Sequence, residues 1–154
     1  APFPSYVNTI IACGNRKLWA IMVEPDWKNT EDRIAYVGKI NELSRQMDVR
    51  DKTLFIFNKI DKTNFTRKKG QINIPQARAE ISNLYPGIFA MFKNQNPITS
   101  LWKDYLCGFV PFQTGTYTIT TKTDSNGNVI SNYQEGPDNY PQMLWDEIQK
   151  SITG

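Results

Sequence analysis

The chain has 154 residues, a length that suits one domain able to bury a core without disulfide or metal staples. Hydrophobic residues make up 40% and charged residues 21%, a globular balance, and a net charge of +3 is too small to imply a nucleic-acid partner. Histidine is absent, which excludes Ser-His-Asp and Cys-His catalysis and every histidine-based metal site. Cys13 and Cys107 cannot make a four-sulfur zinc site, and their apolar company suggests small core residues in a reducing compartment. The longest apolar runs, such as Leu18 to Val23, are far shorter than a membrane span. Ala1-Pro2-Phe3-Pro4 has neither the basic start nor the apolar run of a secretory leader, so a cytoplasmic setting is expected.

No repeat, low-complexity tract or linker divides the chain, so one domain over 1–154 is expected. Lys17 to Glu24 is a continuous apolar run closed by Pro25 and reads as a strand buried on both faces of a parallel sheet. Asn29 or Thr30 can cap the next segment, with Glu31 and Asp32 in its first turn. Ile34, Val37, Ile40, Leu43 and Met47 then recur at helical spacing. Thr53 to Phe57 is a second apolar strand that ends abruptly at Asn58-Lys59-Ile60-Asp61, followed by a polar loop from Lys62 to Gln71. Pro75 sits near a helix start, Ala77, Ile81 and Leu84 share one face, and Pro86-Gly87 stops the helix. Ile88 to Trp102 reads as a short helix or turn packed on the core, and Tyr105 to Phe112 as a third strand. Tyr117 to Lys122 alternates, Asn126-Gly127 is a strong hairpin turn, and Val129 to Tyr133 returns. Pro141 opens a final helix that sets Leu144, Trp145, Ile148 and Ile152 on one face.

Buried strands alternating with amphipathic helices predict an α/β fold with right-handed crossovers and a parallel sheet. Ligands bind such sheets at the carboxyl ends of the strands, so the loops at 25–28, 58–61 and 113–116 are the ones to watch.

Asn58-Lys59-Ile60-Asp61 lies at one of these ends, and its residue types suit guanine. A fixed carboxylate accepts two adjacent hydrogen bonds, and guanine offers two adjacent donors on its Watson–Crick edge. Adenine cannot match that pair and would leave the carboxylate unsatisfied, so an Asp there selects guanine. A lysine stem can lie along the flat base with its ammonium in water. The Asn amide can brace neighbouring loops or reach the base.

Thr53 to Asp61, TLFIFNKID, resembles the strand and Asn-Lys-x-Asp base-recognition motif of P-loop GTPases. The resemblance implies that Asp61 holds the guanine, Lys59 covers it and Asn58 braces the loop. Lys17 to Asp26 is similar to the GTPase strand that follows the second switch, and the helix from Asn29 to Met47 stands where such domains place one. Tyr105 to Phe112 matches the next strand, whose exit loop supplies a backbone amide to the guanine oxygen. Here that loop reads Pro111-Phe112-Gln113-Thr114-Gly115 instead of the family's Ser-Ala, and assigns Gln113 and Thr114 to the base pocket. The implied fold is a partial three-layer Rossmann-like or P-loop NTPase-type sheet, three parallel strands with flanking helices, plus a β-hairpin that the family pattern lacks.

The phosphate machinery of that family has no counterpart. No G-x-x-x-x-G-K-[ST] occurs, and Gly38-Lys39 sits mid-helix before Ile40. Asp124-Ser125-Asn126-Gly127, a lone Asp-x-x-Gly, reads as turn chemistry. The resemblance therefore covers the C-terminal half of a GTPase domain, as a piece of a longer chain would. The expected function is guanine-nucleotide base recognition, with GTP or GDP as ligand and magnesium belonging to a longer parent, a nucleotide hydrolase or switch. The chain alone is expected not to catalyse. The alternative is a non-catalytic α/β protein-interaction module with a degenerate nucleotide site.

An apolar strand at 18–23 without its phosphate-loop partner would present an open edge. The expected partner there is the missing N-terminal half of the domain or a second copy of the chain, unless Tyr6 to Ala12 covers it. Arg67-Lys68-Lys69 with Arg16 and Lys17 reads as solvated charge, not a nucleic-acid patch. Glu31/Asp32 and Asp146/Glu147 are adjacent on helices, face apart and make no acid–base pair. Trp27, Trp102 and Trp145 read as core or interface aromatics.

Overall fold

The computed structural model describes residues 2–27, 29–60, 73–113, 117–135 and 139–153. Its elements run α1 (Ser5–Ala12), β1 (Leu18–Val23), α2 (Thr30–Gln46), β2 (Lys52–Phe57), α3 (Ile74–Leu84), β3 (Gly108–Pro111), β4 (Tyr117–Thr123), β5 (Val129–Glu135) and α4 (Tyr140–Thr153). Two short 3-10 turns, Ala90–Phe92 and Thr99–Leu101, occupy the stretch before β3. The protein is mixed α/β: β1, β2 and β3 form a parallel sheet with β2 in the centre, and β4 and β5 form a separate antiparallel pair.

The central strand is buried on both faces because each face meets a different layer. Phe55 and Phe57 point into a core with Val37 and Ile40 of α2 and Ala77 and Ile81 of α3. Leu54 and Ile56 point the other way, onto Met143, Leu144 and Ile148 of α4. Phe55 is held edge-to-face by Phe89 at 4.9 Å and Phe92 at 5.3 Å, geometry that aromatic quadrupoles favour. Helix starts follow their caps: the Asn29 side chain accepts from the Asp32 N–H, and the Asn73 side chain from the Gln76 N–H.

β1 departs from the expected two-sided burial. Ile21 and Val23 are buried, but Ala20 is exposed and Met22 is 49% exposed, because α4 packs mainly on β2 and β3 and meets β1 chiefly near its start, at Leu18. α1 forms over residues read as a possible edge cover, yet it buries none of its side chains. The open edge is met differently. The Val23 carbonyl accepts from the Asn58 N–H, so strand alternation turns the Met22 carbonyl away from β2. The Tyr36 hydroxyl of α2 donates to the Met22 carbonyl at 2.7 Å, and the Tyr85 hydroxyl after α3 donates to the Glu24 carbonyl at 2.8 Å.

Other expectations shift by a residue or two. The third strand is confined to Gly108–Pro111. The packed stripe of α4 runs through Met143, Leu144 and Ile148, while Trp145 is 55% exposed. Ile34 lies outside the buried stripe of α2, which is Val37, Ile40 and Leu43. Cys13 is exposed, not a core residue, and Cys107 is partly buried. The hairpin turn forms at Asn126-Gly127, with Gly127 at φ 82° and the Asp124 carboxylate accepting from the Asn126 and Asn128 N–H groups. No helix among the described residues is long and apolar enough to cross a membrane.

Candidate functional site

The three parallel strands end at one rim, and in-register pairing fixes what meets there. Val23 lies opposite Phe57, so the next residues, Glu24 and Asn58, leave the sheet side by side. The Asn58 side chain is buried, and its Nδ2 donates to Glu24 Oε1 at 2.9 Å. Its Oδ1 is buried with no hydrogen-bond partner among the described residues. An unpaired buried amide oxygen is costly, and such atoms mark places where a ligand donor would be welcome.

Lys59 follows with φ 55°, the left-handed conformation that a side chain rarely adopts. This single residue reverses the chain so that the buried Ile60 can donate its N–H to the Phe112 carbonyl at 3.2 Å. The Phe112 N–H in turn donates to the Phe57 carbonyl at 2.8 Å. The exits of β2 and β3 are therefore fastened together, with the buried Gln113 next in line. Asp61 and Thr114, the other residues expected at the base pocket, lie outside the described residues. The structure thus brings Asn58, Lys59 and Gln113 to one rim.

The Lys59 ammonium is engaged. It stands 2.9 Å from Glu24 Oε2 and 3.2 Å from Asp26 Oδ1. The hydrogen bond from Lys59 holds the Glu24 carboxyl below its ordinary value, against the opposing effect of burial. The hydrogen bonds to Glu24 and Asp26 hold the Lys59 ammonium above its ordinary value.

A cleft of about 240 Å³ opens beside this network, lined by Met22, Glu24, Trp27 and Tyr36. The Trp27 and Tyr36 rings meet edge-to-face at 4.9 Å, and Tyr85 backs both. The Arg33 guanidinium fixes the loop by donating to the Trp27 carbonyl at 3.0 Å. Burial, with the neighbouring Tyr85 second, pushes the Tyr36 phenol up to about 12, so it remains a neutral donor to the Met22 carbonyl. No group of histidine, cysteine, aspartate or glutamate residues among the described residues is arranged to hold a metal ion.

Sequence reasoning passed over Glu24 and Tyr36. The signal for Glu24 was its place at a strand's carboxyl end, and Trp27 lay in a loop already marked for that reason. Their joining with Asn58 depends on strand register, which no local pattern reveals. Comparison with models of known protein families, with curated proteins and with solved structures found no match.

Proposed function

We propose that the rim at the carboxyl ends of β1, β2 and β3 recognises a guanine base, without phosphate chemistry of its own. One observation carries the reading: Asn58-Lys59-Ile60 leaves the central strand of a parallel sheet through a left-handed turn braced on both sides, by Glu24 and by Phe112. That is where α/β sheets hold ligands. Asp61 follows at once and, by the resemblance to P-loop GTPases, accepts the paired guanine donors. Asn58 braces the loop, Lys59 borders the base, and Gln113 and Thr114 approach its oxygen. The ligand is GTP, GDP or the nucleoside, and magnesium belongs to a longer parent chain.

Isothermal titration of the chain with guanosine and adenosine tests this. Guanosine is expected to bind about tenfold or more tightly than adenosine, and Asp61→Asn to abolish that preference. Equal binding of the two nucleosides, or an unchanged preference in the variant, removes the reading.

A second reading, a protein-interaction module, is favoured by the exposed apolar side chains of Ala20 and Met22 on the edge strand. It predicts adenosine and guanosine binding alike and association that strengthens with concentration.

A further inference from the structure

We infer that the cleft at the carboxyl end of β1 completes the guanine site, with Trp27 as the surface on which the base lies and Glu24 as acceptor for an N–H of its amino group. This rests on the guanine reading of the rim and names residues of that site which the Asn58–Asp61 motif does not contain.

The cleft and the motif share atoms. Glu24 binds the Asn58 amide and the Lys59 ammonium, and Met22 lies within 3.6 Å of Asn58 Nδ2 through its sulfur. Pockets for drug-sized ligands span about 300–1,000 Å³. A space of about 240 Å³ falls just below that range and suits a base, not a whole nucleotide. Two of its lining residues are aromatic, Trp27 and Tyr36 meeting edge-to-face at 76°, and an indole stacks on any base. The Lys59 ammonium is drawn to Glu24 and Asp26, so the aromatic wall, not the charge, is the broad surface beside the loop.

Glu24 has capacity left. A carboxylate offers about four lone-pair positions. Among the described residues the Asn58 amide takes one on Oε1 and the Lys59 ammonium one on Oε2, which leaves an open position on each oxygen. The side chain is 20% exposed, so these positions are reachable from the cleft. Guanine's amino group has an N–H beyond the pair on its Watson–Crick edge, and inosine lacks that amino group. Glu24 should therefore distinguish guanosine from inosine, while Trp27 should not.

The test is a titration of the chain and three variants with guanosine and inosine. Glu24→Gln is expected to weaken guanosine about fivefold or more and to leave inosine within about twofold. Trp27→Ala is expected to weaken both ligands about tenfold, and Trp27→Phe to restore most of the loss. If Glu24→Gln weakens both ligands equally, Glu24 acts only by holding Lys59, and the inference falls. If Trp27→Ala binds both ligands as the unmodified chain does, the base lies elsewhere on the rim, and the inference falls. In either case a guanosine preference that Asp61→Asn abolishes leaves the guanine reading standing. If the unmodified chain binds no guanosine, both fall.

Discussion

Three side chains set the character of the rim, and their couplings are electrostatic. Glu24 holds Asn58 by one oxygen and Lys59 by the other. Because the Lys59 hydrogen bond lowers the Glu24 carboxyl below its ordinary 4.5, the folded state favours the carboxylate. The stability this brings is present above about pH 4.5 and is lost as pH falls through the lower folded value. Lys59 has the opposite sign: raised above its ordinary 10.5, it stabilises below that pH and loses its contribution only as pH rises through the folded value. Urea unfolding of the chain and of Glu24→Gln should show a gap in midpoint that is constant across neutral pH and closes below about pH 4.5. A gap that persists in acid would mean that the Glu24 charge contributes nothing.

At the scale of elements, the notable feature is how the sheet ends at β1. Helices α2 and α3 deliver Tyr36 and Tyr85 to two outward carbonyls, Met22 and Glu24. Tyr85 is fully buried, so removing its hydroxyl leaves the Glu24 carbonyl without its donor where water does not reach from that side. Tyr85→Phe should destabilise the fold by about 1–2 kcal/mol in chemical unfolding. Tyr36→Phe should cost less, because its carbonyl partner is exposed and water can replace the bond. The same elements show what was legible in the sequence. Thr53 to Phe57, with its abrupt polar end, announced both the doubly buried strand and the loop that leaves it at the rim, because a strand buried on two faces needs an apolar run and a rim loop needs none. Leu18 to Val23 has the same apolar look, but whether a strand is central or peripheral depends on its neighbours. In α4 the packed face keeps Leu144 and Ile148 but takes Met143 in place of Trp145, a distinction finer than helical periodicity resolves. Glu24 joined Asn58 through register alone.

Seen whole, the sequence carries none of the glycine-rich loop and lysine that hold nucleotide phosphates in P-loop GTPases, so the proposed guanine site would grip a base without them. Its overall charge of +3 is too small to replace that loop by general attraction. Guanosine and GTP should therefore bind this chain with dissociation constants within about fivefold of each other in 0.15 M salt, measured by titration. GTP binding a hundredfold tighter would reveal a phosphate site on this chain.

The hairpin of β4 and β5 belongs to the same molecule but, among the described residues, shares no ladder with the main sheet. A two-stranded ribbon is marginal in water on its own, and among the described residues neither of its edges has a neighbouring strand. Its amide protons would thus trade with solvent deuterium through local fraying, many times over for each global opening that frees those of β2.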